Sequence, residues 1–131
     1  MQTLGKSFKC TMNNIIMIIL SVLLNAAAQI FIRKGMLSIG TFDVSSFFGS
    51  ISVLMTNVWL WGAFLCYALS IVLWLSVLSK VEVSYAYPYL SIGYIVVAVA
   101  GYMLFNESLT KMRILGIVVI CIGVYLISRS E

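Results

Sequence analysis

Between Ser84 and Phe105 the chain carries no charged residue. That run also holds the only proline, Pro88, together with Tyr85, Tyr87, Tyr89 and Tyr94. Its length is about what a helix needs to cross the hydrocarbon core of a bilayer. Pro88 sits one turn inside it, lacks an N–H, and so leaves the Ser84 carbonyl without its usual helical partner. In lipid such a carbonyl must be met by a neighbouring helix, a hydroxyl or water. The segment is therefore expected to be a kinked helix, buried in a bundle and bordering a polar cavity.

The remainder of the chain obeys the same constraint. Of 131 residues, 63% are hydrophobic and 9% charged, against about a quarter charged in a soluble domain. The expected fold is all-α: an integral membrane bundle of four transmembrane helices forming one domain over 1–131. The helices are placed at about 15–32, 59–78, 84–105 and 112–128, and Gly35 to Gly40 is read as a turn. Residues 44–57 are ambiguous between the start of the second span and an interfacial helix. The latter is preferred, because Phe47, Ile51, Leu54, Met55 and Val58 share one face while Ser46, Ser50 and Asn57 lie on another. Trp59 and Trp61 would then be interfacial anchors. The stretch Ile15–Leu24 followed by Ala26-Ala27-Ala28 has the look of a secretory signal. Apolar residues continue through Ile32, however, and Arg33-Lys34 closes the run, so it is read as a retained first span.

Several function classes are excluded. The net charge of +4 is spread along the chain, which gives no case for nucleic acid. There is no histidine, and Cys10, Cys66 and Cys121 lie far apart. No metal site, disulfide framework or cofactor is expected, and no nucleophile–base pair suggests an enzyme.

What polar residues the spans do carry is ordered. Ser21, Asn25, Gln29 and Arg33 follow one another at intervals of four, which sets them along one helix face. Polar side chains are costly in lipid, so this stripe is expected to face a partner helix or a cavity. It serves either as interhelical glue or as a substrate-lining surface. In the proline segment, Ser84, Tyr87, Ser91, Tyr94 and Ala98 are expected to share a face opposite the stripe. The short loop Ser79–Val83 should make the second and third spans antiparallel neighbours. Glu107 stands before the last helix as a dipole cap or a gating group, with Ser108 or Thr110 as N-cap. Gly116 and Gly123 form a packing seam on that helix, one that could lie between subunits.

Four spans put both termini on one side. Lys6, Lys9, Lys80 and Arg129 then face Arg33, Lys34, Lys111 and Arg113, four cations against four. Orientation follows Lys/Arg bias, and here there is none. Either the N-terminal lysines hold the termini inside, or the chain inserts both ways and pairs antiparallel. Four short helices enclose little volume, so a dimer is expected in either case.

The runs Val72-Leu73-Trp74-Leu75-Ser76-Val77-Leu78, Ser84-Tyr85-Ala86-Tyr87-Pro88-Tyr89-Leu90-Ser91 and Phe105-Asn106-Glu107, with Gly116 and Gly123-Val124, carry a resemblance. They resemble the small four-helix, EamA-like members of the drug/metabolite transporter superfamily. Within it the likeness is to the flippase subunits for 4-amino-4-deoxy-L-arabinose-phosphoundecaprenol. The run Ala86-Tyr87-Pro88-Tyr89-Leu90-Ser91 is its most specific piece, and Glu82 departs from the proline that relatives often carry there. More distantly the chain is similar to the small multidrug resistance family. That family works through a glutamate in its first helix, where this chain has Asn25, and no Asp, Glu or His falls within the four expected spans. Asn25 cannot titrate, which counts against a proton-coupled cation exporter.

The resemblance implies a flippase subunit of the bacterial cytoplasmic membrane, moving a polyprenyl-phosphate-linked sugar and working as a homodimer or as a heterodimer with a related small subunit. The headgroup would meet Asn25, Gln29, Tyr87, Ser91 and Tyr94 along the path. Its phosphate would meet Arg33, Lys34, Lys111 and Arg113 at the membrane surface, arginine being the better partner. Those cations could equally snorkel to lipid headgroups. A non-transporting membrane partner of a glycosyltransferase is the alternative of a different class.

Overall fold

The computed structural model describes the backbone of residues 2–40 and 47–129, with side chains at 12–40, 49–127 and 129. Asp43, Ser46 and Glu131, and the side chains of Lys6, Lys9, Cys10 and Phe47, lie outside the described residues. Everything regular in the described chain is helical: α1 (Gln2–Ile39), α2 (Phe47–Thr56), α3 (Val58–Leu78), α4 (Val83–Ala86), a 3-10 turn (Tyr87–Leu90), α5 (Ser91–Phe105) and α6 (Lys111–Ser128). Among the described residues, three stretches are long and apolar enough to cross a membrane: Met12–Ile39, Val58–Leu78 and Val83–Phe105.

α1 is the central element. It packs along α3 on one side and meets α5 on the other, while α6 leans on α5 and the 3-10 turn. The second and third spans meet at the start of the third, where α4 packs against α3 and Tyr87 of the 3-10 turn reaches Trp74, while α5 packs chiefly against α1. The core gathers where these elements converge, on Ile18, Val22, Val77, Ala86 and Tyr89. Outward, α3 and α6 expose Phe64, Leu65, Leu75, Leu115, Val119 and Leu126, a surface suited to lipid rather than water.

Two expectations about breaks in the helices change. α1 does not end at Gly35 but runs to Ile39 and stops at Gly40, whose φ is +92°. Gly35 serves close packing instead of a turn. A Cβ there would sit 3.1 Å from Leu60 Cδ2, so its absence lets α1 approach α3. Just beyond, Asn57 binds the two helices: its Nδ2 donates to Ser38 Oγ at 2.9 Å, and its Oδ1 accepts from Trp59 N at 3.0 Å as the N-cap of α3. The expected single helix 84–105 is in fact interrupted, with one turn of 3-10 winding at Tyr87–Leu90 around Pro88. A 3-10 turn advances each residue about 20° further than an α-helix, or about 80° over four residues. That rotation separates the face of Tyr87 from the face of Tyr94.

Polar groups inside the bundle are satisfied. Ser21 Oγ donates to the Ser70 carbonyl at 3.2 Å, and Ser70 Oγ donates to the Ser21 carbonyl at 2.9 Å. This reciprocal pair ties α1 to α3 and makes Ser21 the adhesive member of the polar stripe. Among the described residues no buried side-chain nitrogen or oxygen is left without a partner. Ser21→Ala and Ser70→Ala should each cost about 1 kcal/mol, and the double variant little more than either, because both remove one coupled unit. Unfolding in bicelles measures this; strict additivity would show that the two hydroxyls act separately.

Candidate functional site

α3 and α5 diverge on either side of α1, and the gap between them is a cavity of about 370 Å³. α1 contributes Val22, Asn25, Ala26 and Gln29; α3 contributes Tyr67; Gly93, Tyr94 and Val97 come from α5. Gln29 Nε2 donates to the Tyr67 hydroxyl at 3.3 Å. Gly93 is what lets α5 come this near, since a Cβ would stand 3.3 Å from Val22 Cγ1. The lining therefore offers an amide at Asn25, a second amide at Gln29, and two phenols, with no charge. Such a set can hydrogen-bond a polar, uncharged group in place of its hydration shell.

A second cavity of about 310 Å³ adjoins the first, sharing Gln29 and Val97. Arg33 and Glu107 are among its lining residues. Arg33 donates through Nε at 3.2 Å and Nη2 at 3.1 Å, both to Glu107 Oε1. Their side chains are 51% and 38% exposed, and an ion pair that open is worth about 0–1 kcal/mol. From Asn25 to Arg33 the path covers about 12 Å of helix axis.

The local chain explains how Glu107 reaches this position. α5 ends at Asn106, which adopts a left-handed conformation with φ of 51°. The N–H of Glu107 then turns back to the Gly101 carbonyl at 3.1 Å. This fold-back lays the carboxylate over Gly101. The cap of α6 is Thr110, whose Oγ1 accepts from Arg113 N at 3.3 Å. Glu107 is thus a partner of α1, and Thr110 is the N-cap of α6.

The residues proposed from sequence are divided by the structure. Asn25, Gln29 and Tyr94 line the inner cavity and Arg33 the outer one. Tyr87 packs edge-on against Trp74, with centroids 5.7 Å apart, and neither it nor Ser91 lines the inner cavity. The four cations differ in their contacts. Lys34 Nζ lies 4.0 Å over the Trp59 ring, Arg113 Nη1 donates to the Ser108 carbonyl at 3.4 Å, and Lys111 is exposed at the start of α6. Sequence reasoning missed Tyr67. It lies amid the apolar residues of α3, and only the meeting of α3 with Gln29 marks it.

Comparison with known proteins agrees with this architecture. The model of the EamA-like transporter family matches residues 12–129. Several bacterial proteins bear the name probable 4-amino-4-deoxy-L-arabinose-phosphoundecaprenol flippase subunit. The one from Pseudomonas savastanoi is 32% identical over 63% of this chain and 73% of its own length. Those from Klebsiella pneumoniae and Pseudomonas aeruginosa are 38% and 36% identical, over 55% and 58% of this chain. The chain spans 64% and 66% of those two relatives. No solved structure matches it. A family match over nearly the whole described chain, joined to three membrane-length helices, settles the class: the chain belongs to the EamA-like transporter family, and is a multi-pass transporter of the bacterial inner membrane rather than an enzyme.

Proposed function

We propose that this chain is one subunit of a flippase for a polyprenyl-phosphate-linked sugar such as 4-amino-4-deoxy-L-arabinose-phosphoundecaprenol, with α6 as its fourth span. The observation that carries the reading is a pair of adjoining cavities, the inner one uncharged and hydrogen-bonding, the outer one lined by Arg33 and its partner Glu107. A lipid-linked sugar has those needs in that order. Its tail stays in the bilayer, its hydroxyls need partners along the path, and its phosphate needs a guanidinium at the surface. The name carried by the relatives supplies the choice of sugar and the word subunit.

The working unit in this reading is a dimer, of two copies or of this chain with a related small one. The even split of cations favours an antiparallel pair, which would place an Arg33 group at each membrane face, as inverted repeats do in other transporters.

The test is reconstitution of the purified protein, alone and with a co-expressed related subunit, in proteoliposomes holding the aminoarabinose lipid. Movement is read by the access of a membrane-impermeant amine reagent. Wild type should move the lipid. Gln29→Leu should slow it about tenfold, the loss of one or two hydrogen bonds worth about 1.4 kcal/mol together. No movement in either preparation would overturn the proposal. In the same vesicles, a single cysteine at Ser38 should label from both sides if two identical chains pair antiparallel. Labelling from one side only rejects that homodimer.

A further inference from the structure

The Arg33–Glu107 pair has a geometry that a purely structural staple does not require. Both guanidinium contacts go to one carboxylate oxygen, Oε1. The other, Oε2, rests over Gly101, where a Cβ would stand only 2.9 Å away. The carboxylate can rest as close as it does because residue 101 has no side chain. The pair lines a cavity that shares Gln29 and Val97 with the uncharged one, and both partners are partly exposed. Such a pair is weak, and a phosphate can displace the carboxylate, since a guanidinium fork fits phosphate oxygens as well as carboxylate ones. The neighbouring cations are engaged elsewhere, Lys34 on Trp59 and Arg113 on Ser108.

We infer that Glu107 is a built-in competitor for the phosphate of the transported lipid on Arg33. The phosphate enters by taking the guanidinium from Glu107, and it leaves when the carboxylate takes it back. Both anions present the same kind of oxygen to the same fork, so the exchange keeps the arginine partnered throughout. An arginine with no competitor would hold the headgroup and slow its departure. This inference rests on the flippase reading above and names how its cationic end operates.

The experiment uses the full chain in nanodiscs and measures binding and release of radiolabelled undecaprenyl phosphate. Arg33→Gln should weaken binding at least tenfold, with Arg33→Lys between it and wild type. Glu107→Gln should tighten binding about tenfold and slow release by a similar factor. Gly101→Ala gives an independent route to the same end, because its methyl, 2.9 Å from the present place of Oε2, obliges the carboxylate to shift without removing its charge. It too should tighten binding, by several-fold. Thermal unfolding of each variant is measured in parallel, so that misfolding is not read as lost binding. If Glu107→Gln and Gly101→Ala remain folded and bind no tighter than wild type, the exchange is wrong and the pair is a staple between α1 and the α5–α6 turn. If folded Arg33→Gln binds as wild type does, the phosphate is held elsewhere and the inference again fails. Failure of wild type itself to bind undecaprenyl phosphate would instead bring down the flippase reading.

Discussion

Changing Asn25 to aspartate should reduce transport of the anionic lipid about 100-fold. Asn25 lines the inner cavity with Gln29, Tyr67 and Tyr94, and the substitution keeps its size while adding a charge. A phosphate passing at about 6 Å, in a medium of effective dielectric about 20, would be repelled by about 3 kcal/mol. That is about two orders of magnitude in rate. Asn25→Ser, which puts an uncharged hydroxyl in place of the amide, should stay within about threefold of wild type. The measurement is the initial rate in proteoliposomes at neutral pH. An aspartate variant that is folded and as fast as wild type would show that the phosphate does not pass this position.

The largest effect on stability is expected at Ile18, fully buried against Val22, Val77, Ala86 and Tyr89. In water its truncation to alanine would cost about 2–5 kcal/mol, part transfer and part cavity. In a bilayer the transfer part shrinks, because lipid tails are as apolar as the core. About 2 kcal/mol should remain, from the dispersion attraction that the void's lining atoms forgo. Leu65→Ala is the control, at 61% exposure on the outer side of α3. With lipid able to fill the space, its cost should be under about 0.5 kcal/mol. Denaturant titration in bicelles separates the two. A cost at Leu65 equal to that at Ile18 would mean that protein, not lipid, covers that side of α3.

Both expected results depend on features of very different legibility in the sequence. Charge-free runs of bilayer length depend only on composition and span, so the helical membrane class followed from the residues themselves. The interval of four from Ser21 to Arg33 likewise set four polar groups on one face of α1 without any knowledge of its neighbours. What that face would meet was a different matter. Ser21 meets Ser70 and becomes glue, Asn25 and Gln29 meet a gap, and Arg33 meets Glu107. The sequence marks that these side chains need partners but not which helix supplies them.

The proline segment shows the same division. Pro88 announced a disturbance, because a missing N–H and a locked φ are local properties. Its form, one turn of 3-10 winding that swings Tyr87 to Trp74 and leaves Tyr94 on the cavity, depends on what α4 and α5 pack against. Gly35 read as the start of a turn, yet it admits Leu60, and Gly101 seats the Glu107 carboxylate. Nothing local to Gly35 names Leu60, and nothing local to Gly101 names a charged neighbour. Periodicity, length and charge are properties of a single chain segment, so the sequence alone determined them. Which segments adjoin, where they part to leave a cavity, and which cation finds a carboxylate are settled only when all the helices satisfy their packing together, and that belongs to the tertiary structure.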